Sequence, residues 1–351
     1  MCLCIVLIHS SITRLSTLAL LRAFSQSLEP AVEASVELAD LSHTWLAPVA
    51  SVASQCGNIF LIEKWIIVYI IHDGVKMGLF SNHYTMPFEG RSVAYYRGGR
   101  GPTLLLIHGS GPGASSIGNW RTVLEPLSAA YDVVAMDLLG FGRSDRKAEP
   151  PYFDFPMWVR QAQAMVRLIG TNQLGIIGHS LSGAIALNLA ALEPGVAAVL
   201  TTGAMGAPFR AAPETRRCWT CPTNRDELVL TLQALIHDKS VIDEAYIAAR
   251  EPVIFAPGYA DYFNAMFEGD PTRYIQAAEL SDEVLDRVRC PVAMLHGRED
   301  VAFPMSSSIE LSRRLARADL LLLHDCSHSV AFERTDAFLA IVRQLFASTL
   351  R

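Results

Sequence analysis

Hydrophobic and polar positions along the chain become regular only after about residue 77. From there, short aliphatic runs bounded by glycine, proline or charged residues alternate with segments of helical periodicity. The runs predict strands at residues 83–88, 91–96, 103–107, 131–136, 175–178, 197–202, 291–295 and 319–324. The periodic segments predict helices at residues 120–129, 156–169, 185–192, 308–316 and 336–348, with Asp154 capping the second and Thr335 the last. This alternation predicts an α/β fold, a mostly parallel sheet flanked by helices.

The alternation stops between residues 207 and 284, where helical fragments at 225–237, 241–249 and 258–267 follow one another. This stretch predicts a helical cap inserted into a core that is formed by residues 77–206 and 285–351. Residues 1–76 show no pattern that connects them to the core, and we expect an extension without a role in the chemistry. The apolar runs of this extension are too short, or too interrupted by charges, to span a membrane.

Composition narrows the classes of function. The 351 residues carry a net charge of −6 and no basic cluster, which argues against nucleic-acid binding. Seven cysteines without a framework indicate a reducing compartment, so we expect a cytoplasmic protein. Cys218 and Cys221 form a C-x-x-C pair without further ligands at matching spacing, so neither a metal nor a cofactor is expected. A small-molecule substrate is the expected partner, no membrane partner is expected, and a homo-oligomer is left open.

One stretch, residues 175–184, carries the most specific signal for chemistry. A buried strand runs into small residues around Ser180 and then into a helix that ends before Pro194. Strand, sharp turn and helix form the context of a nucleophile elbow, in which the serine backbone is strained and needs small neighbours such as Gly178 and Gly183. Ser182 stands where the usual G-x-S-x-G motif has its second glycine, and because serine is also small we expect the turn to form.

Two later residues complete a catalytic triad with Ser180. A serine hydroxyl needs a base that removes its proton and a carboxylate that orients the base. In this type of fold they follow in the order serine, acid, histidine, and Asp300 and His328 supply that order, each just after a predicted strand. Glu299 and His324 are rivals, but Glu299 is expected to point to the wrong side and His324 to lie within its strand.

The loop at residues 108–114, His-Gly-Ser-Gly-Pro-Gly-Ala, follows another buried strand and should reach the same edge of the sheet. Backbone N–H groups of Ser110 and Leu181 are predicted to form the oxyanion hole, where negative charge develops during acyl transfer. Asp137 and Asp145 belong to a neighbouring loop, and we expect them to hold that loop rather than to take part in the chemistry.

With these motifs in place, residues 80–350 resemble the α/β-hydrolase superfamily. The loop at 108–115 and the cap segment 235–250 are similar to those of meta-cleavage product hydrolases, which cut carbon–carbon bonds in ring-opened catechols. The resemblance implies that Gly109 and Gly111 line the substrate site and that Arg250 binds a substrate carboxylate; a solvated arginine at a helix end is the alternative. At two positions that normally lie near the substrate, His179 replaces the usual Asn and Ser329 replaces the usual Trp.

Residues and resemblance together predict a cofactor-free serine hydrolase acting on a 2-hydroxy-6-oxo-dienoate or a related diketone. A carboxylesterase for small esters is the alternative, and a histidine before the nucleophile is common among esterases of this superfamily. A receptor that keeps the fold without turnover is a third hypothesis, against which the triad argues. An epoxide hydrolase or haloalkane dehalogenase is disfavoured, because both need a carboxylate in place of Ser180.

Overall fold

The structure is a computed structural model that describes residues 3–9, 59–62, 65–71, 79–248 and 250–350. The chain divides into two compact units, residues 1–78 and 79–351. In the first unit the described residues form an antiparallel sheet of β1 (Leu3–His9), β2 (Ile59–Ile62) and β3 (Trp65–Ile71), in the order β1-β3-β2. The rest of the extension predicted over residues 1–76 lies outside the described residues. No helix in the described ranges combines the length and hydropathy needed to cross a bilayer.

The second unit is built on an eight-stranded sheet. Its strands are β4 (Tyr84–Phe88), β5 (Arg91–Gly98), β6 (Thr103–Ile107), β7 (Asp132–Met136), β8 (Leu174–His179), β9 (Val196–Thr202), β10 (Val292–Gly297) and β11 (Ala318–Leu323). They lie in the order β11-β10-β9-β8-β6-β7-β5-β4. The pairs β4–β5 and β5–β7 are antiparallel and the other neighbours are parallel. This is the mostly parallel sheet that the sequence predicts, and each predicted strand is present.

The helices of the second unit, in chain order, are α1 (Ser116–Trp120), α2 (Leu124–Ser128), α3 (Phe155–Ile169), α4 (Leu181–Leu192), α5 (Pro213–Cys218), α6 (Arg225–Leu235), α7 (Glu244–Ala248), α8 (Glu251–Ile254), α9 (Tyr259–Met266), α10 (Thr272–Ala277), α11 (Asp282–Arg287), α12 (Ser306–Arg314), α13 (Val330–Glu333) and α14 (Thr335–Thr349). A short 3₁₀-helix, Lys239–Val241, lies between α6 and α7.

Both faces of the sheet are buried, and this explains the continuous aliphatic runs of its central strands. Along β6, Leu104 and Leu106 join one hydrophobic cluster, and Leu105 and Ile107 join the other. All four side chains are fully buried. With both faces covered, the carboxyl ends of the parallel strands form the edge at which side chains and loops can assemble a site.

The predicted cap is helical, as the described residues between β9 and β10 contain helices and no strand. The sequence interpretation misses α5, α8, α10 and α11. For α5, α8 and α10 the reason is that it took the prolines of this region as helix breakers. Proline is tolerated in the first turn of a helix, and Pro213 and Pro252 occupy that turn in α5 and α8. The predicted cap boundary at residue 284 falls inside α11, whose Leu285 belongs to the main hydrophobic core.

Of three further predictions about helix starts and caps, one is confirmed and two are wrong. Asp154 does cap α3, since its side chain accepts a hydrogen bond from the N–H of Met157. The single helix predicted at 120–129 is wrong: α1 and α2 are separate, and the first starts at Ser116, capped by Ser115. Thr335 is not a cap, because it is the first residue of α14 and its hydroxyl donates to the carbonyl of Ala331.

Candidate active site

Ser180 occupies the sharp turn between β8 and α4. Its backbone has φ 58° and ψ −122°, in the left-handed half of φ space that residues other than glycine rarely adopt. The turn is held by hydrogen bonds, from the Ser180 N–H to the Thr202 carbonyl at 2.8 Å and from the Gly183 and Met205 N–H groups to the Ser180 carbonyl at 2.9 and 3.0 Å. This is the geometry of a nucleophile elbow.

The residues around Ser180 must be small because the backbone leaves no room. A Cβ at Gly178 would lie 2.2 Å from the Ser182 carbonyl oxygen, and one at Gly183 would lie 2.7 Å from the Ala204 side chain. Ser182, in place of the second glycine of the motif, is buried and donates a hydrogen bond to the carbonyl of His108 at 2.5 Å. The hydroxyl therefore ties the elbow to the loop at residues 108–114.

Asp300 and His328 follow β10 and β11 and lie in direct contact. His328 Nδ1 is 2.6 Å from Asp300 Oδ2, and the N–H of Phe303 donates to Asp300 Oδ1 at 2.8 Å. His296 Nε2 lies 3.4 Å from the same Oδ2 atom. Burial by itself would raise the pKa of Asp300, but the charge of His328 and the hydrogen bonds from His296 and His328 outweigh it and hold that pKa well below its ordinary value. Asp300 is therefore ionised at neutral pH, as an orienting carboxylate must be.

Ser180 and His328 line the same cavity, which has a volume of about 860 Å³. The other predicted site residues that line it are Gly109, Ser110, Gly111, His179, Arg250 and Ser329. Asp300 and Leu181 are buried and do not line the cavity. Asp300 contacts His328 on the side away from the cavity, and Leu181 is the first residue of α4, directly after Ser180.

The loop at residues 108–114 is held against Ser180. His108 is buried, its Nε2 accepts from the N–H of Leu138 at 3.0 Å, and Nδ1 is therefore the protonated nitrogen, 2.6 Å from the Gly109 carbonyl. A Cβ at Gly109 would lie 3.1 Å from Ser180 Cβ, so the loop needs glycine here to approach the elbow this closely. Ser110 accepts a hydrogen bond at its hydroxyl from Trp219 Nε1 at 3.2 Å. This bond links the predicted oxyanion loop to the cap.

His179 and Ser329 occupy the two positions at which the chain departs from the resembled family. The His179 ring lies against the ring of His328, with centroids 4.6 Å apart. Burial and the nearby charge of His328 hold the pKa of His179 well below its ordinary value, so its ring is neutral at neutral pH. The N–H of Ser329 contacts the Leu235 carbonyl and the Glu333 carboxylate, both at 3.2 Å.

Glu333 connects the loop that carries His328 to the cap. One carboxylate oxygen accepts from the N–H groups of Ser327 and Ser329, and the other accepts from the N–H of His237 at 2.6 Å. The N–H of His328 donates in addition to the carbonyl of Leu235, the last residue of α6. Burial raises the pKa of Glu333 despite these three N–H donors.

Arg250 faces the cavity from the segment between α7 and α8. Its NH1 donates to the Tyr246 carbonyl at 2.9 Å, and its guanidinium carbon lies 3.8 Å from the centre of the Tyr246 ring. Burial lowers the pKa of Arg250, and the nearby Arg121 lowers it further. A partly buried guanidinium on a cavity wall fits the substrate-facing interpretation better than the solvated alternative.

The rival residues have other partners. Glu299 accepts from the N–H of Cys326 at 3.1 Å, and His324 is exposed and pairs with Asp325 at 2.8 Å. The expectation that His324 lies within its strand is wrong, because β11 ends at Leu323. Asp137 holds its own loop as expected, accepting from the N–H groups of Ser116 and Arg143 at 2.7 and 2.9 Å.

Asp145 accepts from the N–H of Ser92 at 2.7 Å, which also fits a loop-holding role. Cys218 and Cys221 are free buried thiols, and burial raises the pKa of both. Across the described ranges, no three His, Cys, Asp or Glu side chains cluster as metal ligands would.

Sequence reasoning missed several residues of the site. Phe303 stacks on His328 with ring centroids 4.4 Å apart, and Asn119 accepts from the N–H of Gly109 at 3.3 Å. Arg121 and Trp219 also line the cavity. Spacing gives a weak signal for Phe303, which lies three residues after Asp300, but the others belong to segments whose approach to Ser180 depends on the tertiary fold.

Residues 104–341 match the model of the alpha/beta hydrolase family. The chain is 29% identical over 250 residues to a 2-hydroxymuconate semialdehyde hydrolase of Pseudomonas sp. strain CF600, covering 71% of this chain and 88% of that protein. It is 27% identical to a 2-hydroxy-6-oxo-2,4-heptadienoate hydrolase of Pseudomonas putida strain F1, covering 71% and 91%.

Solved structures give the same likeness. A meta-cleavage product hydrolase from Pseudomonas fluorescens IP01 superimposes with a TM-score of 0.72 at 29% identity, covering 76% of this chain and 97% of that one. An esterase from Rhodococcus sp. ECU1013 gives a TM-score of 0.64 at 22% identity, covering 76% and 98%, which shows a shared fold alone.

Proposed function

Because the chain belongs to the alpha/beta hydrolase family, we propose that it is a serine hydrolase that cleaves a carbon–carbon bond in a 2-hydroxy-6-oxo-dienoate, a meta-cleavage product, or in a related diketone. The observation that carries the proposal is that Ser180 and His328 line one cavity while Asp300 contacts His328 from behind. The similarity to hydrolases named for 2-hydroxymuconate semialdehyde and for 2-hydroxy-6-oxo-2,4-heptadienoate supports the choice of bond.

In the first step His328 Nε2 removes the proton of the Ser180 hydroxyl, and Oγ forms a bond to the ketone carbon of the substrate. Asp300 accepts the Nδ1 proton in a hydrogen bond, which fixes the tautomer of His328 and stabilises its cation. The negative charge that develops on the carbonyl oxygen is stabilised by the backbone N–H groups of Ser110 and Leu181.

The carbon–carbon bond then breaks, and its electron pair stays with the dienoate fragment. This fragment is a stable leaving group when the substrate has first tautomerised, its 2-hydroxy proton having moved to C5, because the charge is then delocalised onto the oxygen of the C2 ketone. The protonated His328 returns its proton to the fragment, and the acyl group remains on Ser180. Water, deprotonated by His328, releases the acyl group as a carboxylic acid and restores the serine.

The cavity suits a medium-sized acid. Its volume of about 860 Å³ lies within the range for small-molecule sites, and aliphatic and aromatic side chains such as Leu232, Val253 and Phe332 line much of its wall. A substrate carboxylate that leaves water for such a pocket needs a charged partner, and the guanidinium of Arg250 supplies one.

A carboxylesterase is the second candidate, and the contact between His179 and His328 favours it. An asparagine at residue 179 would offer an amide to the substrate, whereas a neutral imidazole offers one donor and one acceptor. Here Nδ1 lies 2.9 Å from the Thr202 hydroxyl, so one of these two groups is already used within the protein.

The two candidates are separated by turnover of the full chain on ring-opened catechols and on para-nitrophenyl esters of short acids. We expect kcat/KM to be higher on the dienoate than on the esters. The loss of the visible absorbance of the dienoate measures its turnover. Efficient ester hydrolysis with no change in dienoate absorbance would reject carbon–carbon cleavage and leave the esterase.

Substitution of Arg250 tests the carboxylate partner. Arg250→Ala should reduce kcat/KM on the dienoate by about 2–4 kcal/mol, because a buried carboxylate would lose its partner. The loss on a neutral ester should be much smaller. Arg167→Ala, an exposed arginine in the last turn of α3, is the matched control. Equal losses on both substrates would assign Arg250 to the support of the cap.

A further inference from the structure

Two guanidinium groups share one tyrosine ring at the wall of the cavity. The guanidinium carbon of Arg121, the residue after α1 in the core, lies 4.2 Å from the centre of the Tyr246 ring, and that of Arg250 lies 3.8 Å from the same centre. The two guanidinium carbons are therefore at most 8.0 Å apart, the sum of the two distances. Arg121 also lies 4.1 Å from the centre of the Phe332 ring.

Neither arginine has an acidic partner among the described residues, where no carboxylate oxygen lies within 4.0 Å of either guanidinium. Arg121 NH1 donates to the Gly118 carbonyl at 3.1 Å, while its NH2 group is buried and has no hydrogen-bond partner in the described part of the chain. Asp243 is the acidic side chain that lines the cavity, and one of its oxygens accepts from the N–H of Tyr246 at 2.7 Å.

This arrangement is costly unless an anion joins it. Two like charges near each other in a partly desolvated wall repel, and a buried N–H group without an acceptor loses hydration without compensation. Burial lowers the pKa of Arg250 most, and the nearby charge of Arg121 acts in the same direction. A carboxylate within reach of both guanidiniums would reduce both costs, because it supplies negative charge and several acceptor sites.

We propose that Arg121 and Arg250 together form a two-guanidinium site for a carboxylate, so that Arg121 is a second specificity-determining residue, contributed by the core rather than by the cap. The site selects acids over neutral compounds of the same shape. The proposal shares its cavity with the proposed function, but it does not depend on which bond is cleaved, because binding of the carboxylate precedes the chemistry.

The test measures binding without turnover. The full chain is titrated calorimetrically with benzoate and with benzamide, its neutral analogue of similar shape. The same titrations are made on Arg121→Met, Arg121→Gln and Arg250→Met, and on Arg167→Met as the matched control with one surface charge removed. Circular dichroism of each variant checks that it is folded.

We expect the parent to bind benzoate at least about tenfold more tightly than benzamide, a difference of about 1.4 kcal/mol. Arg121→Met and Arg121→Gln should each weaken benzoate binding about tenfold and leave benzamide binding little changed, and Arg167→Met should bind like the parent. The proposal is overturned if the parent binds both compounds equally, or if a folded Arg121 variant keeps the parent's preference for benzoate. Failure of dienoate turnover would reject carbon–carbon cleavage without affecting this result.

Discussion

At the scale of single residues, the contact between His328 and Asp300 makes the choice of acid testable. Ser180→Ala, His328→Ala and Asp300→Asn should each lower kcat by about 10⁴-fold, because members of a triad act as a unit. Glu299→Gln serves as the control, since that carboxylate holds the Cys326 N–H and lies outside the cavity wall. If Glu299→Gln lowered kcat strongly while Asp300→Asn left it unchanged, the acid would be misassigned.

Asp300 also makes stability depend on pH. Its pKa is lower in the folded chain than in the unfolded one, so its ionised form stabilises the fold above the unfolded pKa of about 3.9. This contribution is lost as the pH falls from there towards the folded pKa. The difference in free energy of unfolding between the parent and Asp300→Asn should therefore be larger at neutral pH than at about pH 3. Urea titrations at the two pH values measure it, and an equal difference at both would contradict the cause given for the shift.

Which residues could be found from the sequence depends on how far apart their partners are in the chain. Ser180, Asp300 and His328 could be found because each follows a strand, and parallel strands end at one edge of the sheet. The bond from Ser182 to the His108 carbonyl spans 74 residues and has no local pattern, so the departure from the G-x-S-x-G motif could be noticed but not explained. Arg121 was missed for the same reason.

At the scale of elements, Glu333 should act on both the cap and the loop of His328. Glu333→Ala removes three hydrogen bonds and should lower the free energy of unfolding by about 2–3 kcal/mol, since bonds to a charged group are among the stronger ones. Glu333→Gln should cost less, because its oxygen can still accept from Ser327 and Ser329 while its amide opposes the His237 N–H. Urea unfolding measures the loss of stability, and kcat measures the effect on the loop that carries His328.

Glu283→Gln is the matched control, because that exposed glutamate pairs, within the described part of the chain, with Arg287 on the same helix. It should change the free energy of unfolding by less than about 0.5 kcal/mol. If Glu333→Ala changed the free energy of unfolding as little as this control, the hydrogen bonds between the cap and the loop of His328 would not contribute to stability.

Elements of the sheet could be predicted more fully than those of the cap. Central strands are buried on both faces, so their aliphatic runs stand out in the sequence. The cap helices α5, α8 and α10 span six, four and six residues, too short to show a helical period. The prolines in the first turns of α5 and α8, and Pro271 directly before α10, then appear as breakers rather than as starts.

At the scale of the whole molecule, every residue of the candidate site lies in the unit formed by residues 79–351. The hydrophobic clusters of the described residues lie there as well. A chain that begins at Met77 should therefore fold and keep the kcat and KM of the full chain. Comparison of the two proteins by thermal unfolding and by turnover measures this, and loss of folding on truncation would show that residues 1–76 are needed.

The place of the cap in the chain has a consequence for protein engineering. Ser180 and the loop at 108–114 precede α5, and Asp300 and His328 follow α11, so a cap from a relative can be grafted between β9 and β10 without altering these residues. Such a graft must still present a carbonyl like that of Leu235 and an N–H like that of His237 to the loop of His328. The unit to transfer is thus the cap together with this backbone junction. A chimera designed from the cap's cavity-lining side chains alone would change the specificity but misplace His328.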